Sequence, residues 1–197
     1  MDKFQKEMFD FLTREENLKG LIIAKNQYNL VVETLAKDLW NKVFSNLSGY
    51  FQDQNNWSVK FDKQISDSRS KLYLYDKELK IQKDGLPSMF FGWERLTKSY
   101  PYYGFFINLN SDEFRADEIS RYILEHKHEF AHGLKGPDGG WLIWDQDNHI
   151  DFNIDNTLLN ISPARVDSKA DELSGMLIDL FNSMLESYNY VKRKFIK

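Results

Sequence analysis

Leu72-Tyr73-Leu74-Tyr75-Asp76-Lys77-Glu78-Leu79-Lys80-Ile81-Gln82 is the stretch on which the fold class turns. Leu72 and Leu74 alternate with Tyr73 and Tyr75, and Leu79 and Ile81 alternate with Lys80 and Gln82. A period of two sends successive side chains to opposite faces, so it marks half-buried antiparallel strands. Asp76-Lys77-Glu78 between the two runs reads as a hairpin turn. Upstream, Trp57, Val59 and Phe61 alternate with Ser58 and Lys60. Downstream, Asp84-Gly85-Leu86-Pro87 breaks the pattern. Tyr102-Tyr103-Gly104-Phe105-Phe106-Ile107 has no polar alternation and predicts a strand covered on both faces. Trp141-Leu142-Ile143-Trp144 opens a further hairpin, turning at Asp145 to Asn148 and returning through Ile150, Phe152 and Ile154.

Helical spacing frames these strands. Phe4, Met8, Phe11 and Leu12 mark a first helix, and Thr13-Arg14-Glu15-Glu16 reads as a capping box for the next. That helix is expected from about Glu15 to Leu47, with Leu21, Tyr28, Val31, Val32, Leu35, Leu39 and Val43 on one stripe and Gly20 as a weak point. Ser111 or Asp112 should cap a helix reaching Leu134, where Gly133 and Gly136-Pro137 end it. Asp167 or Ser168 should cap the last helix, whose stripe is Leu173, Leu177, Leu180, Phe181, Met184, Tyr188 and Val191. The order predicts one α+β domain over residues 1–197, an antiparallel sheet packed against long N-terminal and C-terminal helices.

Composition narrows the function classes. The 197 residues carry 30 acidic and 26 basic side chains, four His and no Cys. Without Cys there is no disulfide scaffold, Cys-ligated zinc or thiol catalysis. No apolar run nears the ~20 residues of a membrane span, and the amphipathic N-terminus has no signal-peptide core, so a cytoplasmic protein is expected. A net charge of −4 makes general affinity for nucleic acid a weaker expectation than a protein partner.

The sharpest motif is His128-Glu129-Phe130-Ala131-His132. Residues four apart share a helix face, so both imidazoles can hold one zinc while Glu129 activates the bound water. The string resembles that of zinc peptidases, which implies Zn as cofactor and Glu129 as base. A third ligand is needed. The metzincin continuation would have Gly where Lys135 stands, so Glu172 is the best candidate, with His149 another. The competing explanation is polar residues on an exposed helix end, where His also suits the dipole.

Weaker patterns complete the survey. Glu78-Leu79-Lys80 is an E-x-K string of the kind that holds Mg²⁺ in nucleases, but it follows a turn. Asp145, Asp147 and Asp151 suit a hairpin turn better than a Ca²⁺ loop. Trp93, Tyr102, Tyr103, Trp141 and Trp144 are candidate binding residues, since Trp and Tyr dominate interface hot spots.

Taken in order, the long helix ending near Phe44 to Phe51, Trp57-x-Val59, Tyr102-Tyr103-Gly104-Phe105, Trp141-Leu142-Ile143-Trp144 and the closing helix resemble the C-terminal region of PD-(D/E)XK nuclease-superfamily proteins of bacteria and phages. In that family the catalytic carboxylates lie upstream of this region. The resemblance therefore implies an accessory domain that binds and carries over no catalytic residue. The leading expectation is a non-catalytic protein, without cofactor, that engages a protein or ribonucleoprotein partner. An inhibitor of a nuclease-type defence system, from a phage or mobile element, would fit. The second reading is the zinc metallopeptidase and the third a metal-dependent nuclease.

Overall fold

The computed structural model describes residues 2–61, 70–96, 101–111, 113–126, 135, 138, 140–146, 150 and 155–196. The chain separates into two compact units, Met1–Thr34 and Leu35–Lys197.

The first unit is helical. Helix α1 (Lys3–Leu12) starts in a capping box between Asp2 and Gln5, each side chain bonding the other's backbone N–H. The capping box expected at Thr13 is absent. Thr13 closes α1 instead, its hydroxyl donating to the Phe9 carbonyl at 2.8 Å, and α2 (Glu15–Tyr50) opens with Glu15 and Glu16 in its first turn. Those carboxylates suit the positive end of the helix dipole. Gly20 does not interrupt α2, because helical hydrogen bonding continues on both sides of it.

The second unit holds the sheet. Strands β1 (Trp57–Phe61), β2 (Lys71–Asp76), β3 (Met89–Glu94), β4 (Tyr102–Ile107) and β5 (Trp141–Gln146) pair in chain order, all antiparallel. The strand expected over Leu79 to Gln82 is not there. Ile81 makes one isolated bridge to Pro87, and the segment loops outward. Polar pairing pins that loop. The buried Glu113 carboxylate accepts from the Lys80 N–H at 3.2 Å and from the Ser88 hydroxyl, and Asn108 donates to Asp84 at 2.9 Å. The place beside β2 goes to β3, whose run Met89-Phe90-Phe91-Gly92-Trp93 is buried throughout. A strand covered on both faces shows no alternation, which is why its periodicity is silent.

Helices cover one face of the sheet. From α2 come Ala36, Leu39, Trp40, Val43 and Leu47, all buried. From α5 (Val166–Phe195) comes the expected stripe, buried from Leu173 to Val191. Phe181 meets Trp57 and Phe91 edge-on, at 4.7 and 5.6 Å between ring centroids. Trp40 leans on Trp93 at 5.6 Å and donates its indole N–H to the Leu96 carbonyl at 2.6 Å. Each such side chain contributes roughly 1.5–3 kcal/mol by leaving water. Lys42 pairs with Asp167, and Asn46 donates to Asp171 at 2.9 Å, tying α2 to α5. Asp167 therefore serves the first turn of α5 and a neighbouring helix. The preceding Arg165 occupies the cap without a side-chain bond.

Helix α3 (Ala116–Glu125) is shorter than expected at its start. Ser111 spends its hydroxyl on a turn, accepting from the Glu113 N–H and donating to Ser88, so the helix begins after Arg115. It also ends earlier than the expected Leu134. The helix stops at Glu125, and His126 leaves helical geometry at φ −113° as its C-cap, its N–H still bonded to the Tyr122 carbonyl. Residues 127–134 lie outside the described residues. Asp145 and Gln146, expected to open the turn after Trp144, instead pair with Tyr103 and Tyr102 as part of β5. Most of the expected return strand lies outside the described residues, and Ile150 is described and buried. A short helix α4 (Asp155–Asn160), not anticipated, precedes α5. Among the described residues, no helix is long and apolar enough to cross a membrane.

Candidate functional site

The second face of the sheet is aromatic. Tyr73, Phe90 and Trp141 are buried there, with Tyr75, Leu86, Tyr102, Phe106 and Trp144 packed against them. Gly92 of β3 and Gly104 of β4 face each other across the pair. A Cβ on Gly104 would lie 2.1 Å from the Ile143 carbonyl oxygen, so only glycine lets β5 approach this closely.

At the end of this face stand two cation–ring pairs. The Arg95 guanidinium lies 4.6 Å above the Tyr102 ring and donates to its hydroxyl at 3.2 Å. The Lys135 ammonium lies 4.6 Å above the Trp144 ring and pairs with Asp145 at 3.4 Å. Tyr102 and Trp144 touch edge-to-face at 5.1 Å. Arg95 and Lys135 are exposed, while the two rings are half-buried. Arg95 holds φ at +65°, the left-handed region that costs a side-chain-bearing residue roughly 1–2 kcal/mol. That conformation follows directly on β3, with the Arg95 N–H bonded to the Ser70 carbonyl at 3.0 Å.

The other aromatic candidates divide by burial. Trp93 is fully buried between Trp40 and Tyr103, and its indole N–H has no hydrogen-bond partner among the described residues. Tyr103 is half-buried against it at 4.8 Å. Trp141 is 7% exposed and donates to Glu94 at 3.2 Å, while Lys71 holds the other Glu94 oxygen at 2.8 Å. Trp93 and Trp141 thus act as core. Tyr102 and Trp144 reach the surface. Sequence reasoning missed Arg95 and Lys135, for no local pattern says that a cation will lie over a ring from another segment.

A cleft of about 1080 Å³ lies on the far side, lined by Glu78, Tyr122, His126, Tyr190, Lys192 and Arg193 among others. His126 stacks on Tyr122 at 4.2 Å, and Tyr122 stacks on Tyr190 at 5.2 Å. The Nδ1 of His126 lies 2.9 Å from the Tyr122 carbonyl, which can only accept, so this nitrogen carries the proton. Lys192 bridges Asp76 at 2.6 Å and Glu78 at 2.5 Å. Burial pulls its pKa down, but those two carboxylates outweigh the burial and raise it. Glu78 of the E-x-K string is therefore engaged by a cation and sits in a turn, not on a buried strand.

His128, Glu129, His132 and His149 lie outside the described residues. Glu172 is half-exposed on α5 and bonded to Lys169 at 2.7 Å. Among the described residues, no three His, Asp or Glu side chains cluster closely enough to hold a metal ion.

The chain matches no protein-family model, no curated protein and no solved structure.

Proposed function

We propose that the chain is a non-catalytic binding protein that engages a protein or nucleoprotein partner through the Tyr102–Trp144 patch. One observation carries this reading. Tyr102 and Trp144 stand together at the surface with Arg95 and Lys135 already seated on their rings. Trp, Tyr and Arg are the residues that concentrate binding energy at interfaces. Rings fixed by their neighbours lose little freedom on binding, so more of the contact energy appears as affinity. The strained backbone at Arg95 supports the same reading, because such strain is retained where placement of a side chain matters. Each ring also offers a flat surface for a base, and each cation a contact for phosphate, which accommodates a nucleoprotein.

The test is affinity capture with the tagged chain, followed by binding of the captured partner as a purified component. Arg95→Ala and Trp144→Ala should each weaken binding at least tenfold, and Tyr190→Ala in the far cleft should not. A partner bound equally well by all three variants removes the patch from the function. An inhibitor of a nuclease-type defence system is a narrower case, in which the partner is a nuclease whose cleavage rate falls on addition of this chain. The zinc peptidase reading is tested separately. Stoichiometric zinc lost in His128→Ala, together with peptide hydrolysis, would replace the binding reading.

A further inference from the structure

The apolar stripe of α2 continues past the part that the sheet domain buries. Within the first unit Leu18, Leu21, Ile22 and Tyr28 are between 43% and 52% exposed. Leu18, Ile22, Lys25, Asn29 and Val32 follow at intervals of four, three, four and three residues. That spacing forms a seam able to meet a second helix knobs-into-holes.

The seam has a two-fold pattern. Ile22 and Val32 lie five residues either side of Gln27, and Lys25 and Asn29 lie two either side. Lys19, Asn26 and Glu33 run down one edge at intervals of seven, and Leu21 and Tyr28 run down the other. An antiparallel copy centred on Gln27 places Ile22 against the second copy's Val32. It places the Lys25 ammonium beside the second copy's Asn29, whose side-chain carbonyl can accept from it. Along one edge Lys19 faces the second copy's Glu33, twice by symmetry, and Asn26 faces its own counterpart. Along the other edge Tyr28 meets Tyr28. A parallel pair would instead set Lys25 against Lys25 within the seam, a like-charge contact. In the single chain Lys19 bonds Glu15 at 2.6 Å, both well exposed, so exchanging that partner for Glu33 costs little.

We infer that residues 18–33 of α2 are a self-association site that joins two copies of this chain as an antiparallel helix pair. The seam is short beside the about 800 Å² per partner of a standard interface, so dissociation in the micromolar range is expected.

Sedimentation velocity of the full chain over a hundredfold concentration range tests the association. The expected result is a monomer–dimer equilibrium weakened roughly tenfold by Glu33→Lys and restored by Lys19→Glu combined with Glu33→Lys. The chain has no cysteine, so geometry can be read by crosslinking. Asn26→Cys should form a disulfide-linked dimer under mild oxidation far faster than Lys83→Cys, an exposed position outside the seam. A chain that stays monomeric throughout overturns the inference. So does a double reversal that fails to restore the dimer, or an Asn26→Cys variant that crosslinks no faster than Lys83→Cys.

Discussion

Tyr188 on α5 donates its phenolic hydrogen to Asp76 of β2 across 112 residues of sequence, at 3.0 Å. Lys192, one turn further along α5, reaches the same carboxylate oxygen at 2.6 Å. Asp76 is 4% exposed, so these contacts replace water around a buried charge. Tyr188→Phe leaves the carboxylate one donor short and should cost about 1–3 kcal/mol, read as a lower denaturant midpoint. A midpoint unchanged by this substitution would mean that Asp76 is satisfied without the tyrosine.

The same cluster sets a pH dependence. Burial, then the Asp76 charge and hydrogen bond, pushes the Tyr188 pKa far above its ordinary value. Lys192 is pulled down by burial and raised more by Asp76 and Glu78. Both folded pKa values therefore exceed the unfolded ones, about 10 for Tyr and about 10.4 for Lys. Such groups contribute fully below the unfolded pKa, and the contribution is lost as pH rises through the folded pKa. Stability should fall steeply above about pH 10, and less steeply in Tyr188→Phe. Equal slopes for the two proteins in urea titrations at rising pH would contradict this.

Gly104→Ala should be severe. Its Cβ would sit 2.1 Å from a backbone oxygen of β5, and that oxygen cannot move away without breaking the pairing of β5 with β4. The expected loss exceeds about 3 kcal/mol, read as a large fall in melting temperature. Gly175→Ala on α5 provides the contrast. Nothing lies within 4 Å of its missing Cβ, so helix propensity alone should stabilise by about 0.5–1 kcal/mol. Thermal unfolding of the two variants measures both signs.

Arg95→Gly should separate stability from binding. Glycine adopts a φ of +65° without strain, so the variant gains up to about 1–2 kcal/mol, less the lost cation–π contact. It should also lose the partner captured through the patch. A variant that is more stable and still binds at full strength would show that Arg95 serves only its own turn.

Much of the architecture was legible in the order of residues. The stripe from Leu173 to Val191 is buried as its spacing requires, because helix periodicity is a local property of neighbouring turns. Trp57, Val59 and Phe61 lie in β1 and Leu72 and Leu74 in β2, strands that their alternation predicted, although the pairing of these two strands with each other was not written in either run. The misplaced strand at Leu79 to Gln82 shows the limit. Its alternation is genuine, yet Ile81 is 49% exposed and the fully apolar β3 holds the sheet position, since long-range burial outweighs a short local pattern.

The site divides along the same line. Periodicity and composition, which adjacent residues carry, were enough for an antiparallel α+β chain, its closing helix and an aromatic load too large to be incidental. The folded arrangement was needed to make Trp93 and Trp141 core and to bring Tyr102 and Trp144 to the surface under Arg95 and Lys135. It was needed, too, to leave the α2 stripe buried at Leu39 and Val43 and open at Leu21 and Tyr28. A stripe declares that a face exists. What covers it depends on segments far away in the chain, and no local pattern contains that information.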